Sequence, residues 1–134
     1  MKPAYIDTSL LIGIKFQEGS TDAGKAAREH RLFSSELLLA EIRAFAHREK
    51  LPQEIVDRVV EGIGWVIPDR SLAAEIQAIA QQGYVRGADL WHLACACYLS
   101  PNPGELSFLT LDHRQREMAV RLGFAAPDFE LTQK

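Results

Sequence analysis

Four carboxylates in this chain stand where they could do chemistry. Asp7 lies at the exit of a short apolar run in "AYIDTSLLI", with the hydroxyls of Thr8 and Ser9 directly after it. Asp112 follows "SFLTL" in the same manner. Asp89, in "VRGADLWHLACA", opens a nearly all-apolar stretch and is the only acid between Gln77 and Leu99. Glu41 sits in "SSELLLAEIRAFAHR", with apolar Leu38, Ala40, Ile42 and Ala44 around it. A carboxylate among apolar neighbours loses hydration unless something compensates. Four of them facing one space repel one another and raise each other's pKa. A divalent cation that prefers hard oxygen ligands, Mg²⁺ or Mn²⁺, removes that conflict. The pattern predicts an acidic metal pocket. Each acid also has a plain structural use: Asp7, Asp89 and Asp112 would serve as helix N-caps, and Glu41 could lie on a solvent face, as Glu36 and Glu49 should.

The elements around these acids alternate. Pro3 to Ile6 reads as a short buried strand and Ser9 to Phe16 as a helix broken by Glu18-Gly19-Ser20. Asp22 to His30 suits a more exposed helix, and Arg31 to Ser34 a short strand. From Ser35 onward, Leu37, Leu38, Ile42 and Phe45 recur near helical spacing and predict an amphipathic helix ending by Lys50. Pro52 suits the first turn of the next helix, which carries Ile55, Val56, Val59 and Val60. Gly62 and Gly64 end it before a strand-like Trp65-Val66-Ile67. Asp69 or Ser71 can cap a helix through Leu72, Ile76 and Ile79, and Ala88 to Leu99 reads as a buried helix. Leu106 to Leu111 is a predicted strand. Asp112 to Leu122 is a charged amphipathic helix ended by Gly123, and Phe124 to Ala126 a possible edge strand. Short strands separated by helices predict a parallel sheet covered on both faces. Sites in such folds lie beyond the carboxyl ends of the strands, where Asp7 and Asp112 fall.

Composition sets the bounds. With 134 residues, 47% hydrophobic and 25% charged, the chain has the size and make-up of one soluble globular domain, residues 1–134. Its net charge of −3 argues against a protein that coats nucleic acid non-specifically, while allowing a local basic patch. The apolar runs are too short to span a bilayer, and Met1-Lys2-Pro3 begins no signal peptide, so a cytoplasmic protein without membrane contact is expected. Cys95 and Cys97 diverge on a helix and are expected to be buried, inert thiols.

Taken in order, "YIDTSLL", "SSELLLAEI", "RGADLWHLACA" and "FLTLDHRQREMAVRLGF" resemble the PIN-domain family, and within it the VapC toxins of bacterial and archaeal toxin–antitoxin pairs. The likeness covers nearly the whole chain. It implies a three-layer α/β/α fold with a short, mainly parallel sheet of four to five strands. It also implies a metal-dependent endoribonuclease using one or two Mg²⁺ (or Mn²⁺) ions, with structured RNA such as tRNA as substrate and translation as the process inhibited. The family's acidic quartet falls on Asp7, Glu41, Asp89 and Asp112, as both catalytic and metal-binding residues. Asp7 and Asp89 are the first choices for direct ligands; Glu41 and Asp112 would complete the shell or assist as a base. Thr8, Ser9 and Thr110 fall at the supporting polar positions. Implied partners are a VapB-like antitoxin and a second copy of the chain.

RNA contacts would come from cations near the acids: Arg43 and Arg48 beyond Glu41, Arg86 before Asp89, and Arg114 after Asp112. His92, one helical turn after Asp89, could touch the site or be a hydrogen-bonded core residue, and Trp91 could pack or join a subunit interface. A phosphoacceptor receiver domain is disfavoured, since it wants an adjacent acidic pair and a late lysine that "FLTLDHR" does not offer. A non-catalytic partner-binding module of the same fold is the other alternative.

Overall fold

Alternation along the first strand creates two cores. In the computed structural model, which describes residues 1–17 and 21–129, β1 (Lys2–Ile6) turns Ala4 and Ile6 to one face of the sheet and Tyr5 to the other, and all three are fully buried. The same alternation divides Phe108 from Leu109 on β4 (Ser107–Leu109). With β2 (His30–Ser35) and β3 (Gly64–Val66), these strands form an all-parallel sheet in the order β3-β2-β1-β4. Helices α1 (Thr8–Phe16), α2 (Thr21–Glu29), α3 (Glu36–Arg48) and α4 (Gln53–Val59) supply Leu10, Ala23, Ile42 and Val56 to the Ile6 face. Helices α5 (Ala73–Ala80), α6 (Gly87–Leu99) and α7 (His113–Leu122) supply Ile79, Leu93 and Met118 to the Tyr5 face. This is the expected three-layer α/β/α architecture.

The strand order fixes where a site can form. The chain steps from β1 outward through β2 to β3, then returns to place β4 on the other side of β1. Crossovers on either side of β1–β4 therefore diverge, leaving a crevice at the carboxyl ends of those two strands. Asp7 and Asp112 follow them.

Three departures from the sequence reading have physical reasons. The strand expected to reach Leu111 stops at Leu109, because the next backbone donors turn to side chains: Leu111 N–H donates to Ser9 Oγ (3.1 Å) and Asp112 N–H to Thr110 Oγ1 (3.0 Å). The fifth strand at Phe124–Ala126 reduces to a single bridge, Ala125 beside Ser107, held by Phe108 N–H on the Ala125 carbonyl (2.8 Å). Asp89 is not a cap; it lies within the first turn of α6, whose capping residue, Arg86, makes no side-chain cap bond. The break expected at Glu18-Gly19-Ser20 lies outside the described residues. Of the two thiols, Cys95 is buried and Cys97 half-buried; burial pushes both up to about 11, so neither is a ready nucleophile. Among the described residues, no helix is long and apolar enough to cross a membrane.

Helices α3 and α7 end in the same hydrogen-bonded turn but with different residues in its left-handed position. After α7, Gly123 takes φ 104°, and Phe124 N–H reaches back to the Ala119 carbonyl. After α3, Lys50 takes φ 58°, and Leu51 N–H reaches the Ala46 carbonyl at 2.8 Å. A Cβ in that conformation is strained, and glycine relieves it. Lys50→Gly should therefore raise the unfolding free energy by about 0.5–1 kcal/mol. The check is a higher urea midpoint at an unchanged slope; a lower midpoint would show that Lys50 is not strained there.

Candidate active site

Asp7, Thr8, Ser9, Glu41, Arg86, Asp89, His92 and Asp112 line one small cavity of about 80 Å³ at the carboxyl end of the sheet. Residues drawn from four separate stretches of sequence thus meet in one place. Asp7 is delivered by the end of β1, Glu41 by the middle of α3, Asp89 by the first turn of α6, and Asp112 by the turn after β4.

Capping and site-building turn out to be compatible uses of the same carboxyl. Asp7 Oδ1 accepts the Leu10 N–H (3.1 Å) and the Ser9 hydroxyl (2.7 Å), while Oδ2 accepts the Thr110 hydroxyl. Asp112 likewise splits its oxygens: Oδ1 caps α7 through Gln115 N–H (2.9 Å), and Oδ2 faces Arg86. Thr110 and Ser9 lie 3.2 Å apart, each giving its one hydroxyl proton to Asp7. They lock the first carboxylate across the β1–β4 seam. Glu41 is anchored by Thr8, whose hydroxyl donates to Oε1 at 2.6 Å.

Electrostatics differ from acid to acid. Burial pushes the Asp7 carboxyl up, against the hydroxyls of Thr110 and Ser9 and the Leu10 amide, which favour its charge. Burial also raises Asp89, and the neighbouring charge of Asp112 raises it further, while Arg86 opposes both. Glu41 is held low, chiefly by polar attraction from His92 and then by Thr8. Arg86 spans the two repelling aspartates, its Nε 3.4 Å from Asp89 Oδ2 and its Nη2 3.7 Å from Asp112 Oδ2.

His92 is both core and site. Its Nδ1 lies 2.7 Å from the Tyr5 hydroxyl, which already accepts the Ser35 N–H (3.1 Å) and so has its own proton to give. With the Tyr5 proton on Nδ1, the imidazole carries its own proton on Nε2. Nε2 is buried without a full hydrogen bond and lies 3.5 Å from Glu41 Oε1. The Tyr5 link was not foreseen, because a tyrosine inside an apolar strand reads as packing. The only sequence signal was the placement of His92 one turn after Asp89.

Among the expected RNA contacts, Arg86 alone lines the cavity. Arg43 does not reach it: two positions beyond Glu41, it points off another face of α3 and pairs with Asp57 on α4 (2.7 Å). Arg48 shares the face of Glu41 but stands roughly 10 Å further along the helix, paired with Glu49. Arg114 packs over the ring of Tyr84. Trp91 is half-buried against the α5–α7 core.

The donor set suits a hard divalent cation, since every candidate ligand is an oxygen and Asp89 feels the charge of Asp112 beside it. Among the described residues, no three His, Cys, Asp or Glu converge into a ready-made ligand group. Mg²⁺ tolerates that, because it commonly binds through one or two carboxylates and keeps several waters.

Fold and cavity together define a parallel α/β protein with an acid-lined switch point. Residues 4–121 match the PIN domain family model, and the chain belongs to the PIN-domain family. A chain of the 2.2 Å structure of VapBC-1 from nontypeable Haemophilus influenzae shares the fold, with a TM-score of 0.69 and 15% identity, covering 94% of this chain and 97% of that one. No curated protein matches the sequence.

Proposed function

We propose that this protein is a metal-dependent endoribonuclease of the VapC toxin type, cleaving structured RNA such as tRNA and thereby inhibiting translation. The observation that supports this reading is the meeting of Asp7, Glu41, Asp89 and Asp112 around one cavity at the topological switch point. Asp7 and Asp89 would hold Mg²⁺ or Mn²⁺, one ion or two, with Glu41 and Asp112 completing its surroundings. When bound, the cation would supply phosphate neutralisation and an acidified water. The chain's own residues then orient and balance charge. Thr110 and Ser9 fix both oxygens of Asp7. Thr8 occupies Glu41 Oε1, which leaves Oε2 as the oxygen that can orient an attacking water. Because Glu41 is held low, it stays ionised at neutral pH and suits accepting rather than donating a hydrogen bond. Arg86, beside Asp89 and Asp112, is placed to meet an incoming phosphate. The family resemblance further supports a VapB-like antitoxin, a second copy of the chain and a cytoplasmic setting.

The test is cleavage of total RNA by purified, partner-free protein in Mg²⁺, Mn²⁺ or EDTA. Discrete fragments that require the metal are expected. Equal cleavage in EDTA, or none in either metal from folded protein, would overturn the reading; the latter would favour a partner-binding module.

A further inference from the structure

We propose that Tyr84, with Arg114 against its ring and Arg86 beside it, is a stacking subsite for an unpaired nucleobase next to the scissile phosphate. The inference rests on the nuclease reading and deepens it: the substrate is single-stranded at the point of cleavage.

Tyr84 is 68% exposed and is the only exposed Phe, Tyr or Trp among the described residues. Its segment is nonetheless pinned. Val85, next in sequence, is 4% exposed within the α5–α7 core, so Tyr84 and Arg86, on either side of it, are turned outward. The guanidinium of Arg114 lies 5.5 Å from the centre of the Tyr84 ring. Arg114 stands two residues after Asp112, in the first turn of α7. Arg86 stands two residues after Tyr84 and reaches both Asp89 and Asp112. The ring and the guanidinium over it are thus each two residues from a residue that lines the acid cavity, Arg86 and Asp112.

The other arginine–aromatic contacts do not share this character. Arg31, Arg48 and Arg70 lie over Phe33, Phe45 and Tyr98, rings that are all partly buried, and Tyr98 also donates its hydroxyl to Asp69. Those pairs close the surface of the fold. Tyr84 presents its ring to solvent two residues before Arg86, which lines the cavity. Aromatic and guanidinium planes are the surfaces on which splayed bases stack, and such stacking tolerates any base because every base has a π-face. A base held inside a duplex has both faces covered and cannot use them.

The experiment measures binding of a short single-stranded RNA carrying 2-aminopurine, in Mg²⁺, by protein whose cleavage is blocked with Asp7→Asn. In that background, Tyr84→Ala should weaken binding by about 5- to 100-fold and lose the quenching of the probe base. Tyr84→Phe and Tyr84→Trp should retain both, because stacking needs the ring and not the hydroxyl. A duplex of the same sequence should bind more weakly than the single strand. Unchanged binding in Tyr84→Ala would overturn the proposal and assign the exposed ring to a protein partner. Equal loss in Tyr84→Phe, equal binding of the duplex, or no RNA binding by the parent would overturn it too. Cleavage by the unblocked protein is scored separately. A protein that binds through Tyr84 yet cleaves nothing would retain the subsite and lose the nuclease reading.

Discussion

Asp7→Asn is expected to give a folded protein whose RNA cleavage falls about 10³-fold or more, the equivalent of about 4 kcal/mol of lost transition-state stabilisation. The same substitution should make the metal-free protein more stable at neutral pH. The hydrogen bonds around residue 7 can be re-formed with an amide. Asparagine Oδ1 keeps the Leu10 N–H and Ser9 hydroxyl, and Thr110 can turn its proton to Ser9 Oγ and accept from the new NH₂. What disappears is a buried charge. Burial raises the native Asp7 carboxyl above its ordinary 3.8, so between those two values the native state binds more protons than the unfolded chain. Stability contributed by this group therefore falls as pH rises through that window, and the penalty persists above it. Asparagine carries no such penalty. Thermal unfolding in EDTA should show the variant pulling ahead of the parent as the pH rises above the ordinary carboxylate value, with Mg²⁺ narrowing the gap. A variant less stable than the parent at pH 7 in EDTA would show that the three hydrogen bonds to the charged form outweigh its desolvation.

The second large effect is expected at His92, which touches Glu41 without being one of the acids. Tyr5 fixes its tautomer and directs Nε2–H at Glu41 Oε1. Groups that orient a metal-binding carboxylate are commonly worth about 10- to 100-fold in affinity or activity. His92→Leu should cost that much in Mn²⁺ affinity, measured by calorimetry, and at least as much in kcat, with a smaller change in KM. His92→Gln, whose Nε2 can take the place of the imidazole Nε2–H, should recover most of the loss. His92→Asn reaches only as far as Nδ1 and should not. Equal behaviour of the Gln and Asn variants would reduce His92 to a packing residue.

Much of the fold was legible because the chain obeys simple periodicities. The run Pro3 to Ile6 reads as a buried strand, and Ala4, Tyr5 and Ile6 are buried; of the helical recurrence Leu37, Leu38, Ile42 and Phe45, Leu38 and Ile42 lie in the core, while Leu37 and Phe45 are half-buried. The acids could be picked out singly by their flanks, Asp7 and Asp112 at the exits of apolar runs, Glu41 and Asp89 inside them. A shared acidic pocket follows from strand ends and charge repulsion, but the way the four acids meet depends on β4 returning to the far side of β1, a long-range choice that no local pattern records. Local competition explains the misjudged ends. The run Leu106–Leu111 looks like strand throughout, yet the hydroxyls of Ser9 and Thr110 take over its last backbone donors. Arg43 and Arg48 were near Glu41 in sequence, but helix geometry and the Asp57 and Glu49 carboxylates draw them elsewhere. Tyr5 and Tyr84 were silent for opposite reasons: one hides its hydroxyl in the core, the other leaves its ring outside it.

The seam between β1 and β4 also sets a timetable for the chain as it is synthesised. Asp7 is made well before its partner, since the hydroxyl that locks it belongs to Thr110, 103 residues later. At ordinary elongation rates that interval is roughly 5–20 s. Throughout it, the emerging polypeptide has β1 and β2 available to pair but lacks the strand that closes the crevice and the acid that follows it. The finished cavity therefore cannot assemble until Thr110 and Asp112 have been made.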